Sequence, residues 1–150
     1  MRADCNDDVV GGMPGRYSWG MTDHSRPPTL SALEAIATNA LRTVPAELLT
    51  HVDNVVIRVV DFPDAETQAE MGLASPFDLL GLYSGVPLGD KSVVDVTPDV
   101  DMIFLYRRPI LDYWCESGED LSHLVRHVLI HEIGHHFGFS DADMERIESL

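Results

Sequence analysis

The sequence predicts one domain of mixed helices and strands with its last long helix buried at the centre, and three observations carry that expectation. Short β-branched and aromatic runs, Asn54-Val55-Val56-Ile57-Arg58-Val59-Val60 and Met102-Ile103-Phe104-Leu105-Tyr106, read as strands. Around them, apolar residues recur at helical spacing. The last such stretch, Leu121 to Phe137, is apolar on most sides: Leu121, Leu124, Val125, Val128 and Leu129 form one stripe, and Ile130, Ile133 and Phe137 lie on another side. A helix of that kind is enclosed by the fold instead of lying on its surface. The chain has 150 residues, 45% of them hydrophobic, which is enough for one core without staples.

Taken in order, residues 1–28 are punctuated by Gly11-Gly12, Pro14-Gly15, Gly20 and Pro27-Pro28 and hold no periodicity. They are expected to form a flexible or loosely docked arm, with the domain spanning residues 29–150. Ser31 and Glu34 fit a capping box, and Leu30, Leu33, Ala37, Ala40 and Leu41 fall on one face of the helix that follows. Pro45 ends that helix or starts a short one over Ala46 to Val52. After the first strand, Asp64 to Met71 suits a short helix. Leu79 to Tyr83 and Lys91 to Val96 are weaker strand candidates, with turns at Gly85 and Gly89-Asp90. Pro109 can sit in the first turn of a helix running to about Cys115. Ser117-Gly118-Glu119-Asp120 then introduces the long helix, Leu121 to Phe137.

Ten Lys and Arg against 25 Asp and Glu leave a net charge of −15. Such a surface repels phosphate backbones and anionic lipid, so neither nucleic acid nor a membrane is expected as a partner, whereas a peptide or unfolded protein is compatible. Cys5 and Cys115 are too few for a disulfide framework and are not spaced as a metal pair; nothing in the sequence favours their pairing. The first residues carry acids where a signal peptide would be apolar, and no run approaches the roughly 18 apolar residues of a membrane span. A cytoplasmic location is the expectation.

The chemistry concentrates in His131-Glu132-Ile133-Gly134-His135-His136-Phe137-Gly138-Phe139-Ser140-Asp141. His131 and His135, four residues apart, share one helix face a turn apart. Two imidazole nitrogens so placed can reach one tetrahedral Zn²⁺ at about 2.0–2.1 Å each. Glu132 lies about 100° further round. That is a poor position for a ligand and a good one for touching a water on the metal, as a general base does. Gly138 can adopt the left-handed conformation that ends a helix, after which Asp141 can swing back as third ligand. Three protein ligands leave a fourth position open, the catalytic pattern. Zinc lowers the pKa of its water toward about 7, and Glu132 is placed to take that water's proton as it attacks a peptide carbonyl.

Other groups compete for roles. Glu145 and Glu148 are alternative third ligands, less attractive than Asp141 because nothing in the sequence specifies their return to the metal. His127 and His123 extend the four-residue spacing backwards, but each step drifts about 40°; His123 points well away, and His127 reads as solvated helix face or as a group behind the ligands. His136 reads as a donor near the site or a rim residue. Tyr83 and Tyr106 are candidate hydroxyls for stabilising a tetrahedral oxyanion, although each also reads as a strand aromatic.

At these residues the sequence resembles a known group. His131 to Asp141 has the HExxHxxGxxD form of the zincin signature. Asp61-Phe62-Pro63, Leu80-Gly81-Leu82-Tyr83, Leu105-Tyr106-Arg107-Arg108-Pro109-Ile110 and Val128-Leu129-Ile130 add to it. Together these resemble the small bacterial minimal zincin metallopeptidase-like family, from about Leu30 to Glu145. The resemblance implies an α+β, minimal zincin-like fold: a small mixed sheet packed on helices, with the zinc helix central and beneath the sheet. It also implies zinc held by His131, His135 and Asp141, with Glu132 catalytic. Larger metzincins carry His at the third ligand position, where this chain has Asp141, and a methionine turn downstream, for which Met144 comes too soon. Nine residues follow Asp141, so a one-walled cleft that binds peptides weakly is expected.

Two functions therefore stand: a zinc-dependent metallopeptidase-like hydrolase, and a catalytically weak or inactive zinc-stabilised binding or regulatory module. A metal-dependent RNA hydrolase with a related His-x-x-x-His run is disfavoured by Glu132, which that run lacks, and by the charge.

Overall fold

The computed structural model describes residues 26–52, 54–85 and 100–150. Helix α1, Leu30–Arg42, starts two residues earlier than the Ser31 box suggests, because Thr29 is its N-cap and Thr29 Oγ1 accepts the Ala32 amide at 3.1 Å. Leu33, Ala37 and Ala40 are buried on its expected face. Pro45 precedes the single turn α2, Ala46–Leu49, which buries Leu48. Strand β1 is Val56–Val60. Helix α3, Ala65–Glu70, is capped by Asp64, whose carboxylate accepts the Thr67 amide at 2.8 Å. A 3₁₀ turn at Pro76–Asp78 leads to β2, Gly81–Ser84. The strand candidate Lys91 to Val96 and residues 1–25 of the arm lie outside the described residues.

Strand β3, Met102–Tyr106, runs directly into α4, Arg107–Ser117. Pro109 falls in the first turn of α4, where no amide has an intrahelical acceptor to lose. Cys115, on α4, is not a free thiol, a state that nothing in the sequence favours; Cys5 lies outside the described residues. Helix α5, Leu121–His136, is capped by Asp120, which accepts the His123 amide at 3.0 Å. A further helix, α6, spans Asp141–Glu148 and is not among the elements that the sequence predicts.

The architecture is α+β. The sheet has the order β1-β3-β2, with β1 parallel to β3 from Val56↔Met102 to Val60↔Tyr106. Strand β2 is antiparallel to β3, from Gly81↔Leu105 to Ser84↔Met102, and forms one edge among the described residues. Helix α5 lies at the centre: Val125, Leu129, Ile130 and Ile133 have no exposed surface, and it packs against α1, β2, α6, α4 and α2. Gly81 permits β2 to cross α5 closely, since a Cβ there would lie 2.8 Å from Val128 Cγ1. Among the described residues, no helix is long and apolar enough to cross a membrane.

Candidate metal centre

The geometry of the centre follows from how α5 ends. The Phe139 amide donates to the Gly134 carbonyl at 2.8 Å and the Gly138 amide to the His135 carbonyl at 3.2 Å, with Gly138 at φ +81. These are the two bonds of a Schellman motif, with the glycine in the left-handed position that a side chain would strain. The expected chain reversal is therefore present. Ser140 and Asp143 then form a capping box, the Asp143 amide donating to Ser140 Oγ at 3.1 Å, and Asp141 becomes the first residue of α6. His135 Nε2 and Asp141 Oδ1 are brought within 3.4 Å.

Helix α6 folds back along α5. Met144 and Ile147 are fully buried, and Met144 packs so closely on Gly134 that a Cβ there would overlap its sulfur. This packing returns Glu148 to the histidine face of α5. Its Oε1 lies 2.6 Å from His127 Nδ1 and its Oε2 lies 3.7 Å from His131 Nε2. His127 is thus hydrogen-bonded, not merely solvated. His123 and Glu145 are exposed, and neither joins a group of metal-ligating side chains among the described residues.

Do these residues suit a metal? Ligands about 2.0–2.1 Å from a tetrahedral zinc stand about 3.3 Å from each other, close to the His135–Asp141 separation of 3.4 Å. His131 Nε2 is buried and has no hydrogen-bond partner. An orphaned imidazole nitrogen in such a place loses its hydration without recompense unless an electrophile meets its lone pair. Burial, and next the neighbouring His127, hold the His131 pKa down, with Glu148 opposing. The neutral imidazole is the form that ligates. Ligand atoms of His131, His135 and Asp141 lie within 4.8 Å of one another, and so do those of His127, His131 and Glu148. The donor set fits Zn²⁺.

Glu132 occupies the flank of α5 that faces β2. It lines a cleft of about 290 Å³ with Met71, Leu79, Leu82, Tyr83, His135 and His136. Burial raises its carboxyl pKa, while the Tyr83 backbone amide and His135 pull it back. Tyr83 does not offer the free hydroxyl expected of an oxyanion donor: its buried O–H donates to Asp101 Oδ2 at 2.7 Å. Burial and this bond raise its pKa strongly. Its ring instead stacks on His136, centroids 4.0 Å apart, and so fixes one cleft wall. Tyr106 is 3% exposed and is not among the residues lining this cleft. Burial raises its pKa, with smaller contributions from the charges of Asp64 and Glu132.

Sequence reasoning placed the motif residues together but missed the return of Glu148 and the apolar floor of Met71, Leu79 and Leu82. A signal for the first was present: Ser140 and Asp143 have capping-box spacing, and Met144 and Ile147 follow three apart.

A family model described as zincin-like metallopeptidase matches residues 52–150. A solved structure of a conserved hypothetical protein from T. thermophilus is similar, with 21% identity and a TM-score of 0.48, covering 79% of this chain and 99% of that one. No curated protein matches the chain.

Proposed function

Since the chain belongs to the zincin-like metallopeptidase family, whose model covers residues 52–150, we propose that it is a zinc-dependent hydrolase of peptide bonds. His131, His135 and Asp141 hold the metal in this reading, and Glu132 is the general base. Bound zinc supplies a Lewis acid that polarises a carbonyl and acidifies water. The chain's own groups supply the rest.

The observation that carries the reading is the setting of Glu132: a carboxyl whose pKa burial raises, opening into the same cleft as His135. A base poised nearer the working pH transfers protons in both directions more effectively than one held far below it. The Glu132 carboxylate takes a proton from the attacking water and returns it to the departing amine. The stacked Tyr83 and His136 wall one side of the cleft, and Met71, Leu79 and Leu82 offer apolar surface to a substrate side chain. Among the described residues β2 is a sheet edge, and an extended peptide can pair with such an edge. The proposed substrate is accordingly a peptide or an unfolded protein. The −15 charge argues against nucleic acid and anionic membranes.

The test is cleavage of a peptide library by zinc-loaded protein. Glu132→Gln is expected to lower the rate about 10²- to 10⁴-fold, with zinc content and circular dichroism retained. Zinc-loaded wild-type protein that cuts no peptide ends the peptidase reading and leaves a zinc-stabilised binding module.

A further inference from the structure

His131 stands between two carboxylates, and only Asp141 has a part in the function proposed above. The other, Glu148, is 17% exposed at its side chain, against 89% for Asp141. Its two oxygens divide between two histidines, Oε1 at 2.6 Å from His127 Nδ1 and Oε2 at 3.7 Å from the unpartnered His131 Nε2. The His127 and His131 rings are 4.0 Å apart at their centroids. Two imidazoles and a carboxylate repeat the donor chemistry of His131, His135 and Asp141, so the same class of divalent ion suits both.

We propose that His127, His131 and Glu148 form a second metal position, which shares His131 with the first and holds the ion away from Glu132. At about 100° per residue, His135 lies about 60° from Glu132 around α5, whereas His127 lies about 140° from it. An ion drawn toward His127 and Glu148 leaves the flank where Glu132 meets the cleft. Closing around an ion requires the His127–Glu148 contact to open from 2.6 Å toward the tetrahedral ligand spacing of about 3.3 Å. Only the ends of two side chains need move. With His131 common to both sets, the positions exclude each other, and the division of the ion between them sets the fraction of protein ready for chemistry.

The inference rests on His131 as a ligand, and metal binding by the full chain tests it separately from activity. Metal-stripped protein is titrated with Co²⁺, read by its visible spectrum, and with Zn²⁺ against a chromophoric chelator; circular dichroism verifies that each variant is folded. Wild type is expected to bind one ion. His135→Ala is expected to keep one ion with a shifted Co²⁺ spectrum, and adding either Glu148→Gln or His127→Gln is expected to abolish that binding. Loss of the ion in folded His135→Ala overturns the second position and leaves the proposed function standing. Retention of the ion in both double variants overturns it as well. Absence of metal from wild type, or its retention in His131→Ala, brings down the second position and the proposed function together.

Discussion

Glu132 and Glu148 are two carboxylates on opposite flanks of one histidine ladder, and they arrive there by different routes. Glu132 is built into α5 itself, next to His131 in sequence, so any helix over this stretch sets it on the flank beside that histidine. Glu148 comes from α6 and reaches His127 and His131 only because Met144 and Ile147 are fully buried against α5. Local geometry sets one position and tertiary packing the other. The flanks differ physically too: Glu132 meets an apolar-floored cleft and a backbone amide, whereas Glu148 meets two imidazoles.

The largest effect expected is that of Glu132→Gln on peptide cleavage, because it removes the general base of the proposed reaction while leaving the helix intact. Next comes Met144→Ala, which probes the other route. Met144 is fully buried, and truncating a buried methionine typically destabilises by about 2–5 kcal/mol. Thermal melts measure the loss. Histidine side-chain NMR then shows which flank feels it: the His127 signals should move as the Glu148 contact loosens, and those of His136, stacked on Tyr83, should not. Unmoved His127 signals would mean that Glu148 is placed by something other than the packing of α6.

Tyr83→Phe addresses the Glu132 flank with a smaller effect. The buried hydrogen bond to Asp101 Oδ2 is lost, and Asp101 Oδ1 already has no partner among the described residues. Stripping a buried acceptor of its donor costs about 1–3 kcal/mol. The pH dependence has a definite sign. Tyr83 has its folded-state pKa raised above the unfolded value of about 10, by burial first. The folded state then binds the proton more tightly, so the bond's contribution is complete below the unfolded pKa and fades as pH climbs above it. Urea unfolding between about pH 8 and 11 should show wild type losing stability faster than Tyr83→Phe at the alkaline end.

How far the site was legible follows the same division. The His131/His135 spacing, the flank of Glu132 and the reversal at Gly138 were all readable, because each depends on helix periodicity or on one glycine's backbone. The α5 core face was readable for the same reason. The role of Tyr83 was not, since its hydroxyl is committed to Asp101, 18 residues away. The sequence leaves His127 as solvated helix face or as a group behind the ligands, because its partner Glu148 lies 21 residues on. Helix α6 sat between these extremes: its capping box was local, but its docking depended on Met144 finding the surface that Gly134 leaves bare.

The smallest effect expected is that of Arg146→Ala, which asks whether charge shares in seating α6. Arg146 Nη2 lies 2.7 Å and Nη1 3.2 Å from the two oxygens of Glu47, a two-pronged pair joining α6 to α2. Both side chains are about half exposed, 53% and 42%, and exposed pairs gain little against solvent and side-chain entropy. The Arg146 hydrogen bond lowers the Glu47 pKa, so whatever the pair contributes is present above the unfolded value of 4.5 and fades as pH falls through the lowered one. Removal should shift the melting temperature far less than Met144→Ala does, and the shift should vanish in about 1 M salt, where screening acts within about 3 Å. A salt-independent drop as large as that of Met144→Ala would reverse the assignment, making the ion pair, instead of the buried methionine, the contact that carries Glu148 to His127.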